Sequence, residues 1–143
     1  MLIDNYGDSL AAALLPNNAY SGTGLGATRY CADSERLTVW VRLVVAAGSP
    51  LATVTIRITG AGIVTSGAAQ FVPLQSTLNN SGATTLEHAL AVAANNTYYH
   101  CIQTSNHTGA MLGVRVEAKG DVAGGASDNI TASLVSWSPG NTR

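Results

Sequence analysis

The sequence predicts an all-β fold: an antiparallel β-sandwich, wound as an eight-stranded jelly roll, with an N-terminal arm. Three observations predict it. From Leu37 onward apolar residues recur with period two. Gly, Asn, Ser and Pro clusters interrupt the alternation at strand-length intervals. No amphipathic helical stretch separates the runs, so nothing is available to cover a parallel sheet. An immunoglobulin-like sandwich is the alternative.

Residues 1–35 hold no period-2 run and read as an arm and its junction; residues 36–143 read as the sandwich domain. Within the arm, Asp8-Ser9 followed by Leu10 to Leu15 suits one or two capped helical turns, ended by Pro16. Asn17 to Gly24 is loop chemistry.

The domain opens with Leu37, Val39, Val41, Leu43 and Val45 on one face and Thr38, Trp40, Arg42 and Val44 on the other. Gly48-Ser49-Pro50 breaks this run. Val54, Ile56 and Ile58 then alternate with Thr53, Thr55, Arg57 and Thr59. One hairpin register satisfies both faces, with Val39 opposite Ile58, Val41 opposite Ile56 and Leu43 opposite Val54. It also sets Trp40 against Arg57 and Arg42 against Thr55. Shorter runs follow at Ile63–Thr65 and at Phe71–Leu74, where Pro73 marks an edge or an end. Leu86, His88, Leu90 and Val92 alternate next, then Tyr98 to Thr104. Leu112, Val114, Val116 and Ala118 alternate with Gly113, Arg115, Glu117 and Lys119, and the last strand is Ile130 to Trp137. Alanines at 46, 52, 89 and 91 suggest closely spaced sheets.

Composition excludes several functions. Charged residues are 10% of the chain, with seven Lys+Arg, eight Asp+Glu and a net charge of −1. Lys119 is the single lysine, against 15 Thr, 12 Ser and 10 Asn. A nucleic-acid binder needs a basic field, and a membrane-surface protein a polybasic patch; neither is present. Asp4 and Asp8 stand where a signal peptide needs cations, and no apolar window is long enough to span a bilayer, so a cytoplasmic product is expected. Two reduced thiols, Cys31 and Cys101, are the default there, with a bridge between them left open.

Catalytic chemistry finds no motif, so no enzyme, cofactor or metal is expected. Gly22-x-Gly24-x-x-Ala27 lacks the strand before and the helix after it that dinucleotide binding needs. His88, His100 and His107 fall in no ligand spacing, and His88 shares the apolar face of its strand, as a hydrogen-bonded buried histidine does. Glu87 and Glu117 sit on outward strand positions. Asp121 and Asp128 flank a glycine-rich loop without the D-x-D-x-D-G calcium pattern. Tyr99-x-Cys101 with Trp40 and Cys31 has the residue types of an immunoglobulin pin but not its spacing.

The aromatics give the lead. Tyr6, Tyr20 and Tyr30 lie in the arm with the apolar Leu2, Ile3, Leu14 and Leu15, and Trp40 and Trp137 fall on polar strand faces. These nine residues are the candidate partner interface, since exposed aromatics among few charges suit protein contacts. Trp40, Trp137 or Tyr98 could instead stack on sugars.

In its size, its Lys-poor Thr/Asn/Ala/Gly-rich composition and its strand pattern behind an apolar arm, the whole chain resembles the cement, or decoration, proteins of tailed-bacteriophage capsids. The resemblance implies a structural protein on the virion that binds the outer surface of the assembled shell. Its partner would be the major capsid protein, and it would act as a homo-oligomer, a dimer in preference to a trimer. The competing expectation is a carbohydrate-binding or adhesion module of a fibre or surface protein.

Overall fold

The computed structural model describes residues 2–8, 20, 36–65, 68–104 and 113–138, and the side chains of Tyr20 and of residues 37–61, 70–104 and 113–133. The described residues form strands and no helix. In chain order these are β1 (Leu2–Asp8), β2 (Arg36–Val45), β3 (Thr53–Thr65), β4 (Ala68–Pro73) and β5 (Ser76–Leu78). They continue as β6 (Thr84–Thr85), β7 (His88–Ala91), β8 (Asn96–Thr104), β9 (Gly113–Gly120) and β10 (Asn129–Ser138).

Two antiparallel sheets result. Sheet A runs β1-β10-β2-β8-β5-β6. In sheet B, β3 is central: β9 pairs along one edge, while β7 and then β4 share the other. Leu37, Val39, Val41, Leu43 and Val45 of β2, Ile102 of β8 and Ile130 and Ala132 of β10 form one buried cluster with Val54, Ile56 and Ile58 of β3, Leu90 of β7 and Val114, Val116 and Ala118 of β9. One continuous core between two sheets is the arrangement of a β-sandwich. Each Leu, Ile or Val buried there contributes about 1.5–3 kcal/mol.

The strand positions agree with the alternation, but the expected hairpin does not form. β2 pairs with β10 and β8, and β3 lies in the opposite sheet. Val39 is therefore opposite Leu134 and Ile102, not Ile58, and Trp40 is opposite Ser133 and Cys101, not Arg57. The 46–52 connection crosses the core. Asp128, fully buried, fastens it: its carboxylate accepts Ala46 N at 2.8 Å, Ser49 Oγ at 2.6 Å and Gly125 N at 2.6 Å. Burial alone would raise this carboxyl; the bonds from Ser49, Ala46 and Gly125 outweigh it and hold the pKa below the usual value.

Two further readings are corrected. Residues 2–8 belong to the sheet, because β1 pairs antiparallel with β10, Ile3 opposite Trp137 and Asn5 opposite Val135. The closely packed small residues are Ala61, Ala118 and Ala132, whereas Ala52, Ala89 and Ala91 face solvent. The expected helical turns, most of the arm and Cys31 lie outside the described residues.

Candidate functional site

The two outer faces differ in construction. On sheet A, β2 presents Trp40 and Arg42 between β8 and β10. Arg42 stands between Tyr99 and Thr131, and Trp40 between Cys101 and Ser133. Trp40 is 56% and Tyr99 70% exposed. The two rings are diagonal neighbours, about 7–8 Å apart at their roots. Trp40, Arg42, Tyr99, Thr131 and Ser133 line an open hollow of about 390 Å³. Among the described side chains lining it none is acidic and Arg42 makes no ion pair; Asp8 of β1 stands opposite Ser133 at its border. Burial pushes the adjacent Cys101 thiol above its usual pKa, so it is a weak nucleophile.

Sheet B is charged and covered. Arg57 of β3 stands opposite Glu117 of β9, and their side chains meet at 2.7 Å. Tyr20, from the arm, lies on this pair. Its ring centre is 3.6 Å from the Arg57 guanidinium carbon and 4.5 Å from Lys119 Nζ, and its hydroxyl donates to Glu87. Burial, then the bond to the Glu87 carboxylate, raise the tyrosine hydroxyl above its ordinary pKa. Beside it the Arg115 guanidinium sits 3.3 Å from the centre of the Phe71 ring. Glu117, on an outward strand position, is only 5% exposed.

Between the sheets, His88 of β7 meets Ser76 of β5, Nε2 to Oγ at 2.8 Å, with both residues buried. This is the hydrogen-bonded buried histidine that its alternation suggests, and burial lowers its pKa. His100 is also lowered by burial; it bonds Asn79 and stacks on Tyr98 at 6.4 Å. Tyr98 packs against the core, and its hydroxyl accepts Ala93 N at 2.9 Å, so it is no stacking platform. Tyr99, one residue on, takes that position. Adjacent strand residues face opposite ways, and Tyr99 shares the parity of exposed Thr97, which is the signal that could have selected it.

Of the nine candidate interface residues, Trp40 is exposed on sheet A and Tyr20 is a lid on sheet B. Leu2, Ile3 and Tyr6 lie in β1 and Trp137 in β10, with side chains outside the described set, and Leu14, Leu15 and Tyr30 fall outside the described residues altogether. Among the described residues no three His, Cys, Asp or Glu side chains are placed to hold a metal ion. No protein-family model matches the chain, and no match was found among curated proteins or solved structures.

Proposed function

We propose that this is a non-enzymatic structural protein that binds the outer surface of a phage capsid as a cement protein, with the major capsid protein as its partner. It would act there as a homo-oligomer, a dimer in preference to a trimer. The observation that carries this reading is the sheet edge. β1 is the terminal strand of sheet A, joined to it through β10. A terminal strand offers a row of backbone N–H and C=O groups for strand addition by another chain. The neutral hydroxyl and amide surface supports the same reading, because an interface repeated over a shell gains from contacts that salt does not screen.

Co-sedimentation with the phage capsids of its source tests this. The full chain should pellet with capsids, and deletion of residues 2–8 should abolish pelleting while cooperative unfolding survives. A strictly monomeric protein that ignores capsids would sink the reading.

A second reading, a carbohydrate-binding or adhesion module, is favoured by the hollow at Trp40 and Tyr99. We further propose a jelly-roll winding. The chain changes sheet at β2–β3, at β4–β5 and at each step from β6 to β10. Eight strands remain when the edge strand β1 is counted outside the winding and the β5–β6 hairpin is taken as one unit.

A further inference from the structure

We propose that the hollow between Trp40 and Tyr99 is a binding site for an acidic sugar, a uronic or sialic acid residue, with Arg42 receiving its carboxylate. The proposal rests on the adhesion reading above and is independent of the capsid reading.

Three features select this ligand. First, the platform is aromatic and wet. Trp40 and Tyr99 are more than half exposed on the two central strands of sheet A, and the strand under Trp40 is anchored by the buried Leu37, Val39, Val41, Leu43 and Val45. Trp and Tyr have only two side-chain torsions to fix on binding and present ring faces to the C–H bonds of a pyranose. Their diagonal spacing of about 7–8 Å sets both rings at one small site.

Second, the rim supplies hydroxyl chemistry. Thr131 and Ser133 line the side of the hollow toward β10 and match the donor and acceptor pattern of sugar hydroxyls. Third, the one charge among the described side chains lining the hollow is positive. Arg42 lies in the row between Tyr99 and Thr131, while Asp8 of β1 stands opposite Ser133 in the next row. On the other outer face Arg57 is paired with Glu117, whereas Arg42 makes no ion pair among the described residues. A carboxylate is the group that an arginine fork binds in two parallel hydrogen bonds. One cation in a chain of net charge −1 does not make a track for a nucleic-acid backbone.

The test follows backbone and Trp40 indole NMR resonances of the full chain, with Trp40→Phe used to assign the indole. The probes are methyl glucuronide and methyl glucoside, which differ only in the carboxylate, and the methyl glycoside of N-acetylneuraminic acid. At least one acidic sugar should shift the resonances of Trp40, Arg42, Tyr99 and Thr131 at concentrations up to about 10 mM, roughly tenfold below the neutral sugar. Arg42→Gln should remove that preference and leave weak binding of both sugars. Trp40→Ala should remove all binding with an unchanged thermal midpoint.

Equal binding of glucoside and glucuronide, or a preference that survives Arg42→Gln, overturns the acidic assignment while the adhesion reading stands. Silence from every sugar overturns both. A poly-glutamate peptide that shifts the same resonances at lower concentration than any sugar overturns the proposal in favour of a protein partner.

Discussion

The outer faces of sheets A and B are made by the same strand alternation, yet one is open and the other is closed. On sheet A, Trp40 and Tyr99 stand in solvent with Arg42 between them. On sheet B, Arg57, Glu117 and Lys119 lie under Tyr20, and Glu117 is buried. The difference follows from where charge is placed. Arg57, held by its cross-strand pair with Glu117, gives the Tyr20 ring a cationic face, and the separate carboxylate of Glu87 accepts its hydroxyl. On sheet A, Arg42 has no such ion-pair partner among the described residues. The closed face pairs its polar groups internally, and the open one leaves Trp40, Arg42 and Tyr99 in solvent.

The comparison breaks most strongly at Glu117. Glu117→Ala leaves Arg57 beneath the Tyr20 ring without its partner. Loss of a buried pair costs about 3–5 kcal/mol, and the partial exposure of Arg57 reduces this to about 2–3 kcal/mol. Urea unfolding should show it as a lower midpoint with an unchanged slope. A loss under about 0.5 kcal/mol would mean that water already serves this pair.

Removing the lid tests the seat from the other side. Tyr20→Ala should cost about 1–2 kcal/mol and speed proteolysis of the arm, because it ends two cation–π contacts. Tyr20→Phe keeps the ring and loses only the bond to Glu87, so it should lie closer to the native protein. Identical proteolysis of both variants and the native chain would show that the arm is held elsewhere.

The layer joining the two faces is tested by pH. Burial holds His88 and His100 below the ordinary histidine value of 6.5. The unfolded chain therefore takes up protons at a pH where the folded protein does not. Stability is full above 6.5 and falls as pH drops through that value toward the folded pKa values. His88→Gln should flatten the thermal midpoint over this window; a midpoint that still falls to the same extent would place the linkage elsewhere.

The smallest effect is expected on the open face. Trp40→Ala should change stability by less than about 0.5 kcal/mol, as surface substitutions do, by thermal unfolding. A larger loss would show that Trp40 is covered by this chain and that the faces are more alike than the exposures say.

Much of the fold is legible in the sequence. Leu37 to Val45 and Val54 to Ile58 alternate so strictly that their buried faces need no structure to assign, and His88 follows from the same rule. The candidate site is half legible: Trp40 stands on a polar face by parity, whereas its companion Tyr99 needed the choice between two adjacent tyrosines. Strand β1 is not legible, because Asp4, Asn5 and Gly7 interrupt any alternation, and its pairing with β10 is a contact across almost the whole chain.

For β2, β3 and β9 the sequence by itself determined which residues form strands and which face of each is apolar, since period-two patterning is a local property of the backbone. Only the tertiary structure decided which strands are neighbours. Val39 and Ile58 suit each other about 5 Å apart within one sheet and equally about 10 Å apart across the core. Apolar burial has no direction, so patterning cannot separate these two arrangements. The hydrogen bonds of β2 to β8 and β10, and the Asp128 carboxylate on the crossing loop, select the second. That choice removes Arg57 from Trp40, leaves Trp40 open beside Tyr99, and gives Tyr20 its seat on the opposite face.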